Sequence, residues 1–314
     1  MQFDVEQLED RLDKYLASKL PKISRTKLQR LIKNGAVKVN GVFVIKPSLG
    51  LRPHDRIILL EEKVIANANE EFKIEPEPEI PLVIVYEDKD IVVVNKQAGL
   101  LVHPTLSQKK HTLANAVIAR YPEIEHIGES PLRPGIVHRL DQNTSGLIII
   151  AKNQAAFEFI KNQFLTRTIS KKYMTIVEGV PEKNEGVIEF DLRPSTHNRL
   201  KKVAVQKKNE PMKKSRRTAK TFYKVIKTFT GSFALLEVSP QTGRTHQIRA
   251  HLSAIGHPVV GDGMYGSRSK IAKRQMLHAA KLEFTAPSGE KLSLEAELPE
   301  DFKNVLALLA SEIL

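Results

Sequence analysis

The chain contains no cysteine among its 314 residues. That removes disulfides, thiolate metal sites and a cysteine nucleophile, and it suits a reducing, cytoplasmic setting. No apolar run approaches the ~20 residues that a membrane-spanning helix needs, so no membrane association is expected. The opening Met1-Gln2-Phe3-Asp4-Val5-Glu6 is acidic and has no apolar core, so it does not read as a secretory signal. There is no internal repeat and no His-Glu-x-x-His pattern. His246 and His251 are spaced i, i+5, which does not put them on one helical face, so no metal site is expected. Acid is in deficit: 36 Asp and Glu against 49 Lys and Arg leave a net charge of +13. Such an excess means a solvated surface if it is spread evenly and a polyanion partner if it is clustered.

The positive charge is clustered. The first segment, residues 1–66, carries Leu8, Leu12, Tyr15 and Leu16 at helical spacing. A second helix is predicted from the N-cap Ser24 to the closing Gly35, with Leu28, Leu31 and Ile32 on one face and Lys27, Arg30 and Lys33 on another. Asn40-Gly41 between alternating valines predicts a tight hairpin, and residues 55–60 a further strand. Residues 67–80 hold Glu70, Glu71, Glu75, Glu77 and Glu79 with Pro76 and Pro78, a composition that predicts an extended linker.

Residues 81–314 form the second domain. Strands are predicted at 82–86 and 91–95, at 147–151, around Thr175, Val177 and Phe190, and at 222–226 and 233–238. Helices are predicted from Asn153 onwards, with Phe157, Ile160 and Phe164 inward, and from 245 to 255. Strands mixed with helices, without regular βαβ alternation, make the fold class α+β. Residues 195–220 are a second basic cluster, with ten Lys and Arg against the single acid Glu210. Such a segment either stays a solvated loop or orders on a polyanion.

Three places can carry chemistry. His138-Arg139-Leu140-Asp141-Gln142-Asn143-Thr144-Ser145-Gly146-Leu147 sets one carboxylate on a turn before a buried strand, with Arg139 beside it to favour the ionised form. Gly243-Arg244-Thr245-His246-Gln247-Ile248-Arg249-Ala250-His251 puts Arg244 near a helix start, within reach of an anion. For Arg249 and the histidines, structural hydrogen bonding is the favoured reading. Tyr173 on its strand either packs in the interior or offers its ring to a flipped-out base, with its hydroxyl near the base edge.

From about residue 81 to 298 these motifs resemble, in order, the RluA-type pseudouridine synthases. They include Asn95-Lys96, Val102-His103-Pro104, the Asp141 motif, Lys172-Tyr173, Thr242-Gly243-Arg244-Thr245-His246-Gln247-Ile248-Arg249, Gly261-Asp262 and Leu277-His278-Ala279. Residues 9–60 resemble the small α/β RNA-binding domain first described in a small-subunit ribosomal protein. The resemblance implies a large mixed, mainly antiparallel sheet with a central cleft, and no cofactor or metal. It implies that Asp141 is the catalytic aspartate, Tyr173 a stacking and proton-handling tyrosine, and Arg244 the ion-pair partner of Asp141. Arg139 would fill space or contact phosphates when the uridine flips out, and Arg25, Lys27, Arg30 and Lys33 would bind RNA.

The expected activity is isomerisation of uridine in RNA, with large-subunit ribosomal RNA the favoured substrate and tRNA the alternative, by a monomer. A non-catalytic RNA-binding assembly factor and a hydrolytic uracil glycosylase are the rivals. The second of these lacks a paired carboxylate motif. Gln97 stands where many members have proline, and residues 196–217 are longer and more basic than usual.

Overall fold

Period-two alternation, helical stripes and Gly-containing turns divide the chain into two units, Met1–Phe72 and Lys73–Leu314. The computed structural model describes all residues except 9, 10, 22, 34, 61–72, 106, 107, 197, 199, 200, 207–216, 231 and 312–314. In the first unit the order is β1 (Gln2–Asp4), α1 (Leu12–Lys19), α2 (Arg25–Lys33), β2 (Val37–Val39), β3 (Val42–Val44) and β4 (Arg56–Leu59). The strands form one antiparallel sheet in the order β1-β4-β2-β3.

The end signals of α2 behave as the sequence predicts. Lys27 N donates to Ser24 Oγ at 3.3 Å, and Ala36 N donates back to Leu31 O at 2.9 Å past Gly35, whose φ is +68°. Asn40 and Gly41 have φ of +50° and +80°, the left-handed pair that joins β2 to β3 by a two-residue turn. Leu8 departs from the predicted stripe. It lies before α1 and is 73% exposed. Leu12, Leu16, Leu28, Leu31, Ile32, Ile57 and Leu59 make the core of this unit.

The second unit contains β5 (Ile84–Glu87), β6 (Ile91–Lys96), α3 (Leu113–Arg120), β7 (Ser145–Ala151), α4 (Gln154–Thr166), β8 (Ser170–Glu178), β9 (Glu185–Ile188), β10 (Phe190–Pro194) and β11 (Lys202–Gln206). It continues with β12 (Thr221–Phe229), β13 (Phe233–Pro240), α5 (Gln247–Ala254), β14 (Leu277–Thr285), β15 (Lys291–Glu295) and α6 (Glu300–Ala310). The main sheet runs β5-β6-β7-β14-β8-β13-β12-β9, with β15 also on β14. All its pairings are antiparallel except β7 with β14. This is the expected α+β architecture. No helix among the described residues is long and apolar enough to cross a membrane.

The parallel pairing fixes the middle of the sheet. Gly146 lies opposite Ala279 with a φ of +117°, and a Cβ there would meet the Ala279 carbonyl oxygen at 2.3 Å. Only glycine permits that approach. Ala279 in turn pairs with Tyr173, and Tyr173 with Val238. Gly146, Ala279, Tyr173 and Val238 therefore form a row across four strands. That row brings the loop before β7 and the loop after β13 to one place.

Two segments differ from their sequence reading. Of the acidic stretch read as a linker, residues 67–72 lie outside the described residues, and 73–80 pack on the start of α3. Ile74 is buried, Asn115 Nδ2 donates to Glu75 O at 2.8 Å, and His111 N donates to Glu77 at 2.9 Å. These contacts satisfy the backbone that a free linker would leave to water. The basic insertion is partly strand, since Lys202–Gln206 pairs with Phe190–Pro194; residues 207–216 lie outside the described residues.

Candidate active site

Asp141 sits in the loop entering β7, and that loop is tied down from three directions. Thr144 N donates to Asp141 O at 3.0 Å. Gly99 N donates to Gln142 O at 3.0 Å, and Gln142 Nε2 returns a bond to Gly99 O at 3.0 Å. Arg274 Nη1 donates to Asn143 O at 3.2 Å. Lys96, at the end of β6, is 2% exposed and gives its ammonium to the carbonyls of Gln97, Leu100 and Gln142 at 2.8, 2.8 and 3.0 Å. Burial pulls its pKa down to about 7. A carboxylate on so constrained a loop is held in place before substrate arrives.

The helix α5 supplies the partner. His246 precedes it in the left-handed conformation, φ +56°. Gln247 locks the turn: its Oε1 accepts from Thr242 Oγ1 at 2.7 Å and Arg244 N at 3.0 Å, and its Nε2 donates to Lys220 O and Thr221 Oγ1 at 3.0 Å. Arg249 then points inward. Its Nη1 donates to Asp141 Oδ2 at 2.9 Å, while Nε and Nη2 form a fork on Asp262 at 2.6 and 2.9 Å. Burial works against the guanidinium charge, but Asp262 and Asp141 outweigh it and raise its pKa.

Asp141, Tyr173, Arg244, His246 and Arg249 line a cavity of about 110 Å³. That is the scale of a single ring; an engineered cavity of ~150 Å³ takes benzene. Asp141 is the sole carboxylate among the residues that line it. Burial and the nearby Asp141 push the Tyr173 phenol above its ordinary range, so it stays protonated at neutral pH. The cavity opens into a groove of about 670 Å³ whose lining includes Arg133, Arg139, Lys161, Arg167, Lys171 and Arg244, and no carboxylate. Arg139, Lys171, Tyr173 and Arg244 border both spaces. Elsewhere, Glu77, Glu79 and His111 bring possible metal-ligand atoms within 4.8 Å of one another. One of these, Glu77 Oε2, already accepts from the His111 amide, and none of the three lines the cavity.

A sequence model described as RNA pseudouridylate synthase matches residues 90–254, and one described as S4 domain matches residues 10–57. An uncharacterized RNA pseudouridine synthase of Aquifex aeolicus is 39% identical over 321 residues, covering 98% of this chain and 96% of that one. The chain belongs to the RNA pseudouridylate synthase family. It is an enzyme that isomerises uridine in RNA, and its first unit is an S4-type RNA-binding domain. A protein of Neisseria meningitidis named ribosomal large subunit pseudouridine synthase D is 39% identical over 317 residues, covering 96% of this chain and 79% of its own. Among solved structures, human RNA pseudouridylate synthase domain containing 1 superposes with a TM-score of 0.56 at 28% identity, over 71% of this chain and 86% of its own.

Within this pseudouridine synthase the structure brings Asp141, Tyr173, Arg244 and Arg139 to one site. It corrects the expected ion pair, because Asp141 is bonded to Arg249 and not to Arg244. Arg244 lies in the loop before α5, its Nε donating to Thr218 O at 3.4 Å. Arg249 and His246, for which a structural role was the favoured reading, line the cavity, and Asp262, quoted only within a motif, anchors Arg249. His251 does have the structural role expected, between Thr221 Oγ1 at 2.9 Å and Phe190 O at 3.1 Å. In the S4 domain Lys27 and Lys33 lie on α2 as predicted. Arg25, expected to bind RNA, has its guanidinium on the buried Asp13 at 2.9 and 3.0 Å.

Proposed function

We propose that Asp141 is the group that acts on the ribose of a flipped-out uridine, and that the RNA is large-subunit ribosomal RNA. The reaction breaks the N1–C1′ bond, turns the uracil and joins C5 to C1′. C5 loses its proton and N1 gains one, so the formula is unchanged and no water enters. One carboxylate suffices, whether it attacks C1′ or removes the C2′ proton. The observation that carries the reading is the lone carboxylate of the cavity, held by Arg249 at 2.9 Å with Tyr173 on the same small space. Hydrolysis of the glycosidic bond would call for a second carboxylate to activate water. Asp262 is 2% exposed and forked to Arg249, so it cannot serve.

Tyr173, protonated and partly buried, would support the base with its ring and offer its hydroxyl to the base edge. Arg139 and Arg244, at the mouth, would meet the phosphates of the flipped nucleotide. The basic groove continues the path for the strand, with Lys27, Arg30 and Lys33 of the S4 domain as a further contact. The name of the Neisseria relative supports the ribosomal substrate.

Release of tritium from RNA made with 5-tritiated uridine tests the chemistry. Asp141→Asn should lose at least about a thousandfold in rate while binding RNA as before. Normal turnover by that variant would overturn the assignment. Mapping pseudouridines in total RNA with and without the gene tests the substrate; a missing site in tRNA alone would move the reading there.

A further inference from the structure

The two oxygens of Asp141 have different neighbours. Oδ2 accepts from Arg249 at 2.9 Å. Oδ1 faces His246 Nε2 at 3.8 Å, beyond a hydrogen bond but with nothing larger than a small displacement to close. The other ring nitrogen, His246 Nδ1, lies 3.1 Å from Tyr265 Oη. That same Oη accepts from Lys202 N at 2.9 Å.

These contacts favour one position for the imidazole proton. A backbone amide can only donate, so Lys202 N occupies an acceptor site on the Tyr265 oxygen. The phenol's own hydrogen is then available to His246 Nδ1. With the phenol donating, Nδ1 is the acceptor and the ring proton stands on Nε2, facing Asp141. Burial lowers the His246 pKa and so favours the neutral ring.

The chain of bonds begins in the basic insertion, because Lys202 is the first residue of β11. A second set of contacts runs beside it. Lys201 Nζ lies 5.1 Å from the centre of the Tyr265 ring, and the guanidinium carbon of Arg249 lies 4.9 Å from that same centre. The hairpin of β10 and β11 thus reaches Asp141 through one tyrosine, by way of His246 on one side and Arg249 on the other.

We propose that His246 is a positioning residue for Asp141, with its tautomer set by Tyr265 and the backbone of β11, so that the basic hairpin and the reactive carboxylate are held as one unit. RNA seated on the hairpin would then bear directly on the geometry of Asp141. The inference rests on Asp141 being the reacting group.

The test uses the full chain and a large-subunit ribosomal RNA transcript carrying 5-tritiated uridine, with kcat and KM measured separately. His246→Leu should lower kcat on the order of ten- to a hundredfold, the scale of a misplaced reacting group, and leave KM within about twofold. His246→Gln, which keeps an N–H donor, should recover most of that loss. Tyr265→Phe keeps the ring between Lys201 and Arg249 and removes only the hydroxyl. It should lower kcat in the wild-type background and have no further effect beside His246→Leu, because the two act in series. Wild-type kcat in His246→Leu, a rise in KM alone, no rescue by glutamine, or additive losses in the double variant would overturn the proposal. Absence of tritium release by the unsubstituted enzyme, or normal release by Asp141→Asn, would instead overturn the role of Asp141.

Discussion

Each unit of the molecule contains an aspartate at an arginine-rich junction, and the two are built for opposite ends. In the S4 domain, Asp13 has a fully buried side chain that accepts from Arg11 at 2.8 Å, from Arg25 at 2.9 Å and from Gln29. Both of its oxygens are occupied, and the bonds tie α1 to α2. Hydrogen bonding, led by Arg11, holds its carboxyl far below the usual range. In the synthase domain, Asp141 keeps 18% of its side chain exposed, shares one guanidinium with Asp262, and leaves Oδ1 facing a cavity. Surrounding charge is similar in kind at both sites. What separates the structural carboxylate from the one proposed to react is saturation: a fully bonded oxygen has no lone pair for a substrate.

Exchange of each aspartate for asparagine should therefore give crossed results. Asp141→Asn, with the largest effect, should abolish turnover and leave urea unfolding nearly unchanged, since the site is partly open. Asp13→Asn should do the reverse. A loss of stability in the first, or of turnover per folded molecule in the second, would dissolve the distinction. Next in size is Arg249→Met. It leaves Asp262 buried and without its fork, which should cost about 3–5 kcal/mol of stability as well as activity. Arg25→Met should cost only about 1 kcal/mol, because Arg11 and Gln29 still serve Asp13 and the Arg25 side chain is 45% exposed. Equal losses in the two methionine variants would mean that saturation is not what matters.

Acid should probe the saturated carboxylate directly. The folded pKa of Asp13 is depressed, so its contribution is complete above the unfolded value of about 4 and disappears as pH falls toward the folded value. The amount is on the order of a few kcal/mol. Unfolding followed from pH 6 down to acid should show that loss in the parent protein and a flatter profile in Asp13→Asn. Parallel profiles would place the acid sensitivity elsewhere.

Much of this was legible in the chain before any coordinates. The run Leu147-Ile148-Ile149-Ile150-Ala151 is buried at every position, as a central strand should be, but the expected Thr-Ser-Gly turn is not one: Ser145 and Gly146 already belong to β7, and the turn of the site loop falls at Gln142-Asn143. Tyr173 stands on its strand facing the cavity. The choice between Arg244 and Arg249 was not legible, because it depends on where α5 begins. A start at 245 puts Arg244 at the helix mouth. The left-handed His246 delays the helix to Gln247 and turns Arg249 inward. One signal was available: Gln247, Arg249 and His251 alternate with Ile248, Ala250 and Leu252, so this short helix has no polar outer face, and all six are buried. Asp262, an acid in need of a cation, was the other. Helix α3 escaped notice for the same reason, since Leu113 to Ile118 are buried all round and show no amphipathic period. In β11 the lysines of the insertion obscured the alternation of Val203 and Val205 with their neighbours.

The smallest expected effect concerns the outer face of the S4 domain and asks whether its charge is used where that of Arg25 is not. Lys27 and Lys33 lie on α2, with no acid bonded to them among the described residues. A lysine that neutralises one phosphate releases about one counterion, so each contributes roughly one unit to the slope of log affinity against log salt. Replacing both by glutamine should weaken RNA binding at low salt and flatten that slope by about two units. Tritium release from a short substrate that does not engage the S4 domain should be unaffected. Arg25→Gln should leave the slope unchanged, because its guanidinium is spent on Asp13. A drop in slope for Arg25→Gln as large as that for the lysines would show that one arginine can hold a buried carboxylate and a phosphate together, and the line drawn between saturated and available charge would have to be redrawn at that residue.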